Sequence, residues 1–226
     1  MTEAEFDRYG DEYEQLVARS IGWSGADHAF FIEAKARHLL RLVRRYVGDP
    51  ARVRAVDVGC GVGLTHGCLS RIGKLHGVDV SASSIERARA ANPDVEYAVA
   101  DAASLPYDDA AFDVSFAVGL LHHVPLDVRD AVVRELVRVS RRLTVVFEHN
   151  PRNPLTRLAV ARCEFDDDAI LLGPREVRQR LERADVASCE QRYILFLPWR
   201  GSAVRRAEDV LRNVPLGAQY YVAAVR

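Results

Sequence analysis

Four groups of residues in this chain have types and spacings that can do chemistry. The first is Val56-Asp57-Val58-Gly59-Cys60-Gly61-Val62-Gly63-Leu64, a β-branched run that leads into three glycines spaced by two. Glycine lets a backbone turn sharply and lets a ligand approach the main chain closely. The second and third are acids that close successive apolar runs: Asp79 in Gly77-Val78-Asp79-Val80-Ser81, and Asp101 in Val99-Ala100-Asp101-Ala102. An ionised carboxylate only accepts hydrogen bonds, so it suits a ligand that presents hydroxyl or amino groups. The fourth is a set of imidazoles with a carboxylate, spread over Leu121-His122-His123-Val124 and Glu148-His149-Asn150-Pro151. Histidine titrates near neutrality and suits a general base. Glu148 could orient a histidine or accept from a bound molecule, and His149 could itself be the base. Plainer roles compete at each place: a tight turn, a helix cap at Asp79 or Ser81, a surface loop at Asp101, a packed histidine, a polar turn at Asn150-Pro151.

The ligand class turns on the glycines. A dinucleotide turn has the form G-x-G-x-x-G. Here the sixth position is Leu64, and glycine falls one residue earlier. Asp57, Gly59, Gly61 and Gly63 instead fill D-x-G-x-G-x-G, and at these residues the chain resembles the class I S-adenosylmethionine (SAM)-dependent methyltransferases. The resemblance implies SAM as cofactor, with Asp57, Gly59, Cys60, Gly61 and Gly63 beneath its methionine part. It implies Asp79 and Val80 at the ribose, and Asp101 and Ala102 at the adenine. Ala117, in Phe112-Asp113-Val114-Ser115-Phe116-Ala117, falls where a backbone group meets the methionine part. A His-His pair at the place of His122 and His123 recurs in small-molecule methyltransferases, including O-methyltransferases. The family's fold would be a Rossmann-like α/β sheet of seven mostly parallel strands with the last reversed, and helices on both faces.

The elements that must position these residues can be read from periodicity. Apolar runs predict strands at Val53–Val58, Leu75–Val80, Val95–Val99, Phe112–Val118 and Leu143–Phe147, with further candidates at Tyr193–Leu197 and Gln219–Val225. Helical patterns lie between them, one opening the glycine turn. One starts near Ser81, with Ser83 and Glu86 at capping-box spacing. Another starts near Asp127, with Val128, Val132, Leu136 and Val139 on one face. Pro174–Ala184 and Ser202–Arg212 read as later helices. Before the sheet, Ile32, Ala36, Leu39, Leu40, Val43 and Val47 recur at helical spacing until Gly48-Asp49-Pro50 stops them. Alternating strands and helices imply a parallel sheet whose ligands bind beyond the C-terminal strand ends. One domain over 1–226 is expected: an N-terminal helical cover (1–48), a SAM-binding core (49–149) and an acceptor-side completion of the sheet (150–226). Tyr9 and Tyr13 are candidates to fold over the cofactor. Trp199 and Arg200 could form a lid, and Gln219, Tyr220 or Tyr221 could touch the acceptor.

Composition excludes several classes. The chain has 31 basic and 32 acidic residues, a formal net charge of -1, so no global basic field favours nucleic acid or an anionic membrane. The start, Met-Thr-Glu-Ala-Glu, is unlike a signal peptide, and no run is long enough to span a bilayer. A cytoplasmic monomer or homodimer is expected. Cys60, Cys68, Cys163 and Cys189 form no C-x-x-C pair. No metal is expected, and Asp166-Asp167-Asp168 reads as a solvated face or a helix cap. The function expected is SAM-dependent methyl transfer to a small molecule, a hydroxyl acceptor being favoured. N- or C-methylation of a small molecule, a nicotinamide enzyme, a non-catalytic SAM-binding protein and methylation of a macromolecule are the rivals. No Asn-Pro-Pro-Tyr-like tetrapeptide of amino-methylating relatives follows Phe112–Ala117; the chain reads Ala117-Val118-Gly119-Leu120.

Overall fold

Successive side chains of a strand point to opposite faces of a sheet, and in this chain each face has its own apolar core. A computed structural model describes residues 28–163, 166 and 168–226. Its strands are β1 (Arg54–Val58), β2 (Lys74–Asp79), β3 (Glu96–Val99), β4 (Phe112–Val118), β5 (Ser140–His149), β6 (Ser188–Ile194) and β7 (Gln219–Val225). They form one seven-stranded sheet in the order β3-β2-β1-β4-β5-β7-β6. Pairs from β3 through β5 are parallel, and β7 runs antiparallel to both β5 and β6. On one face Ala55, Phe116, Val145 and Phe147 meet Leu39 and Val43 of helix α1 (His28–Tyr46). On the other, Val56, Ala117, Val146 and Val222 meet Val132 and Leu136 of one helix and Val177 and Leu181 of another. Those helices are α3 (Arg129–Val139) and α5 (Pro174–Arg183), while α2 (Ala82–Ala91) packs beside β2 and β3. Two further α-helices among the described residues are α4 (Pro154–Val160) and α6 (Ser202–Leu211).

The expected sheet and its reversed strand are present, and the differences are local. No α-helix follows the glycine turn; a single 3-10 turn, His66–Leu69, takes its place. Thr65, Gly67 and Ser70 are weak helix formers, and His66 is drawn inward to Asp57. Helix α2 is capped by Ser81, whose hydroxyl accepts from Ser84 N at 3.1 Å, so Ser83 and Glu86 are not its capping box. β6 lies earlier than the apolar run at Tyr193–Leu197. Its residues Ser188-Cys189-Glu190-Gln191-Arg192 are polar because it is an edge strand. Leu195, at φ 62, then turns the chain toward the strand ends. Helix α4 had no apolar periodicity to announce it; Asn153 caps it by accepting from Leu155 N and Thr156 N, and Pro154 opens it. Tyr9 and Tyr13 lie outside the described residues. Among those residues, no helix is long and apolar enough to cross a membrane.

Candidate active site

The C-terminal ends of β1, β2, β4, β5 and β6, the segment after β3 and the start of β7 open onto one cavity of about 510 Å³. The glycine turn forms its floor. Gly59 sits at φ 72, a conformation that favours glycine, and a Cβ there would come 2.6 Å from Leu120 Cδ1 and displace the end of that side chain. Gly59 N and Cys60 N donate to Val78 O at 2.8 and 3.0 Å, which ties the turn to β2. Asp79 continues the tie: one carboxylate oxygen accepts from Gly61 N at 2.8 Å and the other from Ser81 N at 3.0 Å. Each carboxylate oxygen has two lone pairs, so both can accept again from a ligand. Asp57, Gly59, Cys60, Gly61, Asp79, Val80, Asp101 and Ala102 all line the cavity.

Two expected contacts fall elsewhere. Gly63 does not line the cavity; a Cβ there would lie 2.8 Å from the Tyr97 hydroxyl and 3.2 Å from Ala88 Cβ. Its place in the motif serves the close packing of α2 and β3 on the turn. Ala117 is fully buried in the core beneath α3, and the cavity begins one residue later, at Val118 and Gly119. The reason is the alternation of β4, which sends Ala117 inward just before the strand ends.

Asp57 is buried at the cavity wall. Its Oδ2 accepts from His66 Nε2 at 3.0 Å, and the Tyr97 hydroxyl holds the other imidazole nitrogen at 2.6 Å. Its Oδ1 has no hydrogen-bond partner among the described residues. A buried acceptor without a donor is costly, so this oxygen is available to a donor on a bound molecule. Burial raises the Asp57 carboxyl above its usual range, and His66 opposes that rise. Lys35 of α1 lines the same cavity. Burial lowers its pKa to about 8, while Glu148 and Asp57 pull the other way. Sequence reasoning missed Lys35; its only signal was a cation placed beside the apolar stripe of α1.

The other end of the cavity carries the imidazoles. Glu148, at the end of β5, lies behind this wall and is 2% exposed. It accepts from Leu121 N at 2.7 Å and from His122 Nδ1 at 2.6 Å. The His122 ring therefore carries its Nδ1 proton on Glu148 and turns Nε2 toward Asp166 Oδ1, 3.6 Å away. His123 Nε2 lies 3.4 Å from the same oxygen, and the two rings are 4.1 Å apart. Asp166 thus belongs to the cluster and is largely covered, which corrects its reading as a solvated face or a cap. The acidic run gave no sign of which aspartate would turn inward. Burial pulls His122 down, but Glu148 and Asp166 outweigh it and hold its pKa near 9. Burial and the charge of His122 lower His123 to about 3, and the same causes lower His149 to about 4.

Two clamps hold this cluster together. Ile170 N donates to His122 O at 2.9 Å, joining the segment after Asp166 to the histidine turn. Arg129, 1% exposed, donates to Val124 O and to Ile170 O, both at 2.8 Å. His149 lines the cavity 3.4 Å from Gln219 Nε2. Gln219 is the member of its trio that reaches the cavity: Tyr220 donates to Leu172 O and Tyr221 to Glu190. Asn150 is fully buried and structural, donating to Gly217 O at 2.7 Å. Trp199 is exposed and Arg200 pairs with Glu33, so Leu195–Pro198 form the wall where a lid was expected.

Comparison with known proteins adds a family. The methyltransferase domain family matches residues 56–146. A 27-O-demethylrifamycin SV methyltransferase of Amycolatopsis mediterranei is 33% identical over 149 residues, 60% of this chain and 53% of that protein. A ubiquinone biosynthesis O-methyltransferase of Xanthomonas axonopodis is 31% identical over 213 residues, 85% of this chain and 87% of that protein. The chain thus spans about half the length of the first relative and most of the second. Among solved structures, a SAM-dependent methyltransferase of Thermotoga maritima, described as a possible histamine N-methyltransferase, has the same fold. Its TM-score is 0.72 at 21% identity, covering 99% of each chain.

Proposed function

This chain belongs to the class I SAM-dependent methyltransferases, and we propose that it methylates a hydroxyl of a small-molecule acceptor, with the His122–His123 pair taking the hydroxyl proton. The observation that carries this reading is the arrangement of the cavity. Donor-seeking acids stand at one end, and a carboxylate-backed pair of imidazoles stands at the other. The residues fit the cofactor. Asp57 Oδ1 is an orphaned acceptor suited to the methionine ammonium, and Lys35 is a cation suited to its carboxylate. Asp79 and Val80 would hold the ribose, and Asp101 and Ala102 the adenine. SAM, when bound, supplies a methyl group on a sulfonium leaving group. The chain's own part is alignment and proton removal. Glu148 and Asp166 hold His122 as the charged member of the pair near neutral pH, so the nitrogen with a lone pair for a hydroxyl proton is on His123, and His122 Nε2 joins it only at a pH above about 9. Gln219 and His149 can orient the acceptor. The two relatives reported above carry oxygen methylation in their names, but others similar to this chain are named for nitrogen methylation, so the choice of a hydroxyl rests on the imidazole pair.

The test is transfer of isotope-labelled methyl from SAM to a panel of phenols, hydroquinones, polyketide alcohols and sugars, with amines alongside. Label recovered in an ether is the expected outcome. Label recovered only in amines, or none despite tight SAM binding, would overturn the reading.

The Lys35 assignment has its own check. In Lys35→Met, affinity for S-adenosylhomocysteine is expected to fall by about 10–100-fold, the loss of one charge-assisted hydrogen bond of roughly 1.5–3 kcal/mol. Affinity for 5′-methylthioadenosine, which lacks the amino-acid part, should not move. An equal fall for both ligands by calorimetry would mean that Lys35 shapes the cavity rather than holding the carboxylate.

A further inference from the structure

We propose that His122 Nε2, His123 Nε2 and Asp166 Oδ1 form a binding site for one divalent transition-metal ion on the wall of the cavity. One ligand atom from each of these three residues lies within 4.8 Å of the other two. The carboxylate oxygen is 3.6 Å from the first nitrogen and 3.4 Å from the second. Both separations exceed the 2.7–3.2 Å of ordinary hydrogen bonds. They match the edge of a metal coordination sphere instead. With metal–ligand bonds of about 2.0–2.2 Å, ligand atoms on a tetrahedron are separated by roughly 3.3–3.6 Å.

A second observation is independent of these distances. A metal-bound histidine commonly gives its other ring N–H to a carboxylate, which fixes the tautomer and aims the ring. Glu148 does this for His122, at 2.6 Å from Nδ1. Glu148 is in turn anchored by Leu121 N, and the Asp166 segment is tied back to His122 through Ile170 N. All three ligands line the cavity, so coordination positions facing it stay available to water or a ligand, as in sites with three protein ligands. Two imidazoles and one carboxylate suit zinc, cobalt, iron or nickel better than magnesium or calcium.

The consequence rests on the functional reading above. A nitrogen whose lone pair is given to a metal cannot accept a proton, so the ion-loaded chain cannot use these imidazoles as its base. The binding itself does not depend on that reading. The protein would be stripped with a chelator, exchanged into clean buffer and titrated with Co²⁺, followed by visible absorption, and with Zn²⁺, followed by calorimetry. One ion per chain at micromolar concentration is expected, with at least tenfold weaker binding in Asp166→Asn and in His123→Gln. Absent saturable binding, or binding unchanged in both variants, would overturn the site. Saturable binding of this kind with no loss of turnover would leave the site standing and count against the histidine base.

Discussion

Replacing His122 by asparagine together with His123 by glutamine is expected to lower turnover by about 10²–10⁴-fold, the usual contribution of a positioned general base. Affinity for SAM should be unchanged, because neither residue stands at the acid end of the cavity. The two single variants divide the effect. His123→Gln removes a nitrogen that faces the cavity and leaves the Glu148–His122 pair intact. His122→Asn can still offer Glu148 an amide N–H near the position of Nδ1, beside Leu121 N, but it removes the cationic partner of a buried carboxylate, and losing one partner of a buried charged pair costs about 3–5 kcal/mol. A lower melting temperature is therefore expected for His122→Asn and not for His123→Gln. The measurement is kcat beside calorimetric SAM affinity for all three proteins. Full turnover in the double variant would remove the pair from the chemistry and leave Glu148 and Asp166 as structural charges.

Asp79→Ala is expected to weaken SAM binding by about 10²–10⁴-fold, the loss of two hydrogen bonds to a charged acceptor at roughly 1.5–3 kcal/mol each. The side chain has two duties, and the variant strikes both. It offers two oxygens toward the place assigned to the ribose, and it accepts from Gly61 N and Ser81 N. Asp79→Asn halves both. With its oxygen on Gly61 N, the amide keeps that tie and one ribose acceptor, while its NH2 faces Ser81 N and can accept from neither Ser81 N nor the second hydroxyl. The asparagine variant should hold the glycine turn and lose about 10–100-fold in SAM affinity. Calorimetry on both variants, with melting curves as the folding control, decides it. Retained affinity in Asp79→Asn would make Asp79 a turn-holder alone.

The cofactor end was more legible in the sequence than the acceptor end, and the reason is physical. Asp57, Gly59, Gly61, Asp79 and Asp101 act through backbone turns and strand ends, so their spacing is fixed by local structure. Each reaches the cavity where the order of strands puts it. Gly63 and Ala117 do not line the cavity, because motif spacing does not say which side of a strand or turn a residue faces. The acceptor end is assembled from distant segments. Asp166 meets His122 through a loop with no periodicity, and at the other end Lys35 likewise arrives from α1, outside the strand ends. Arg129 looked like an ordinary helix residue, yet it is buried and holds the turn and the loop together. Such contacts depend on tertiary geometry, which residue spacing does not encode. β6 was displaced for a related reason: an edge strand needs no apolar run, so the apolar residues after it drew the reading forward.

The strand order also governs how this sheet can be completed during synthesis. β7 follows β6 along the chain but lies between β5 and β6, pairing with both. Until Gln219–Val225 leaves the ribosome, β5 presents an open row of backbone donors and acceptors, and β6 has no neighbour at all. An uncovered edge of that kind invites pairing with other chains. The same segment delivers Gln219 to the cavity, so the nascent chain closes this edge and completes the cavity wall in one event.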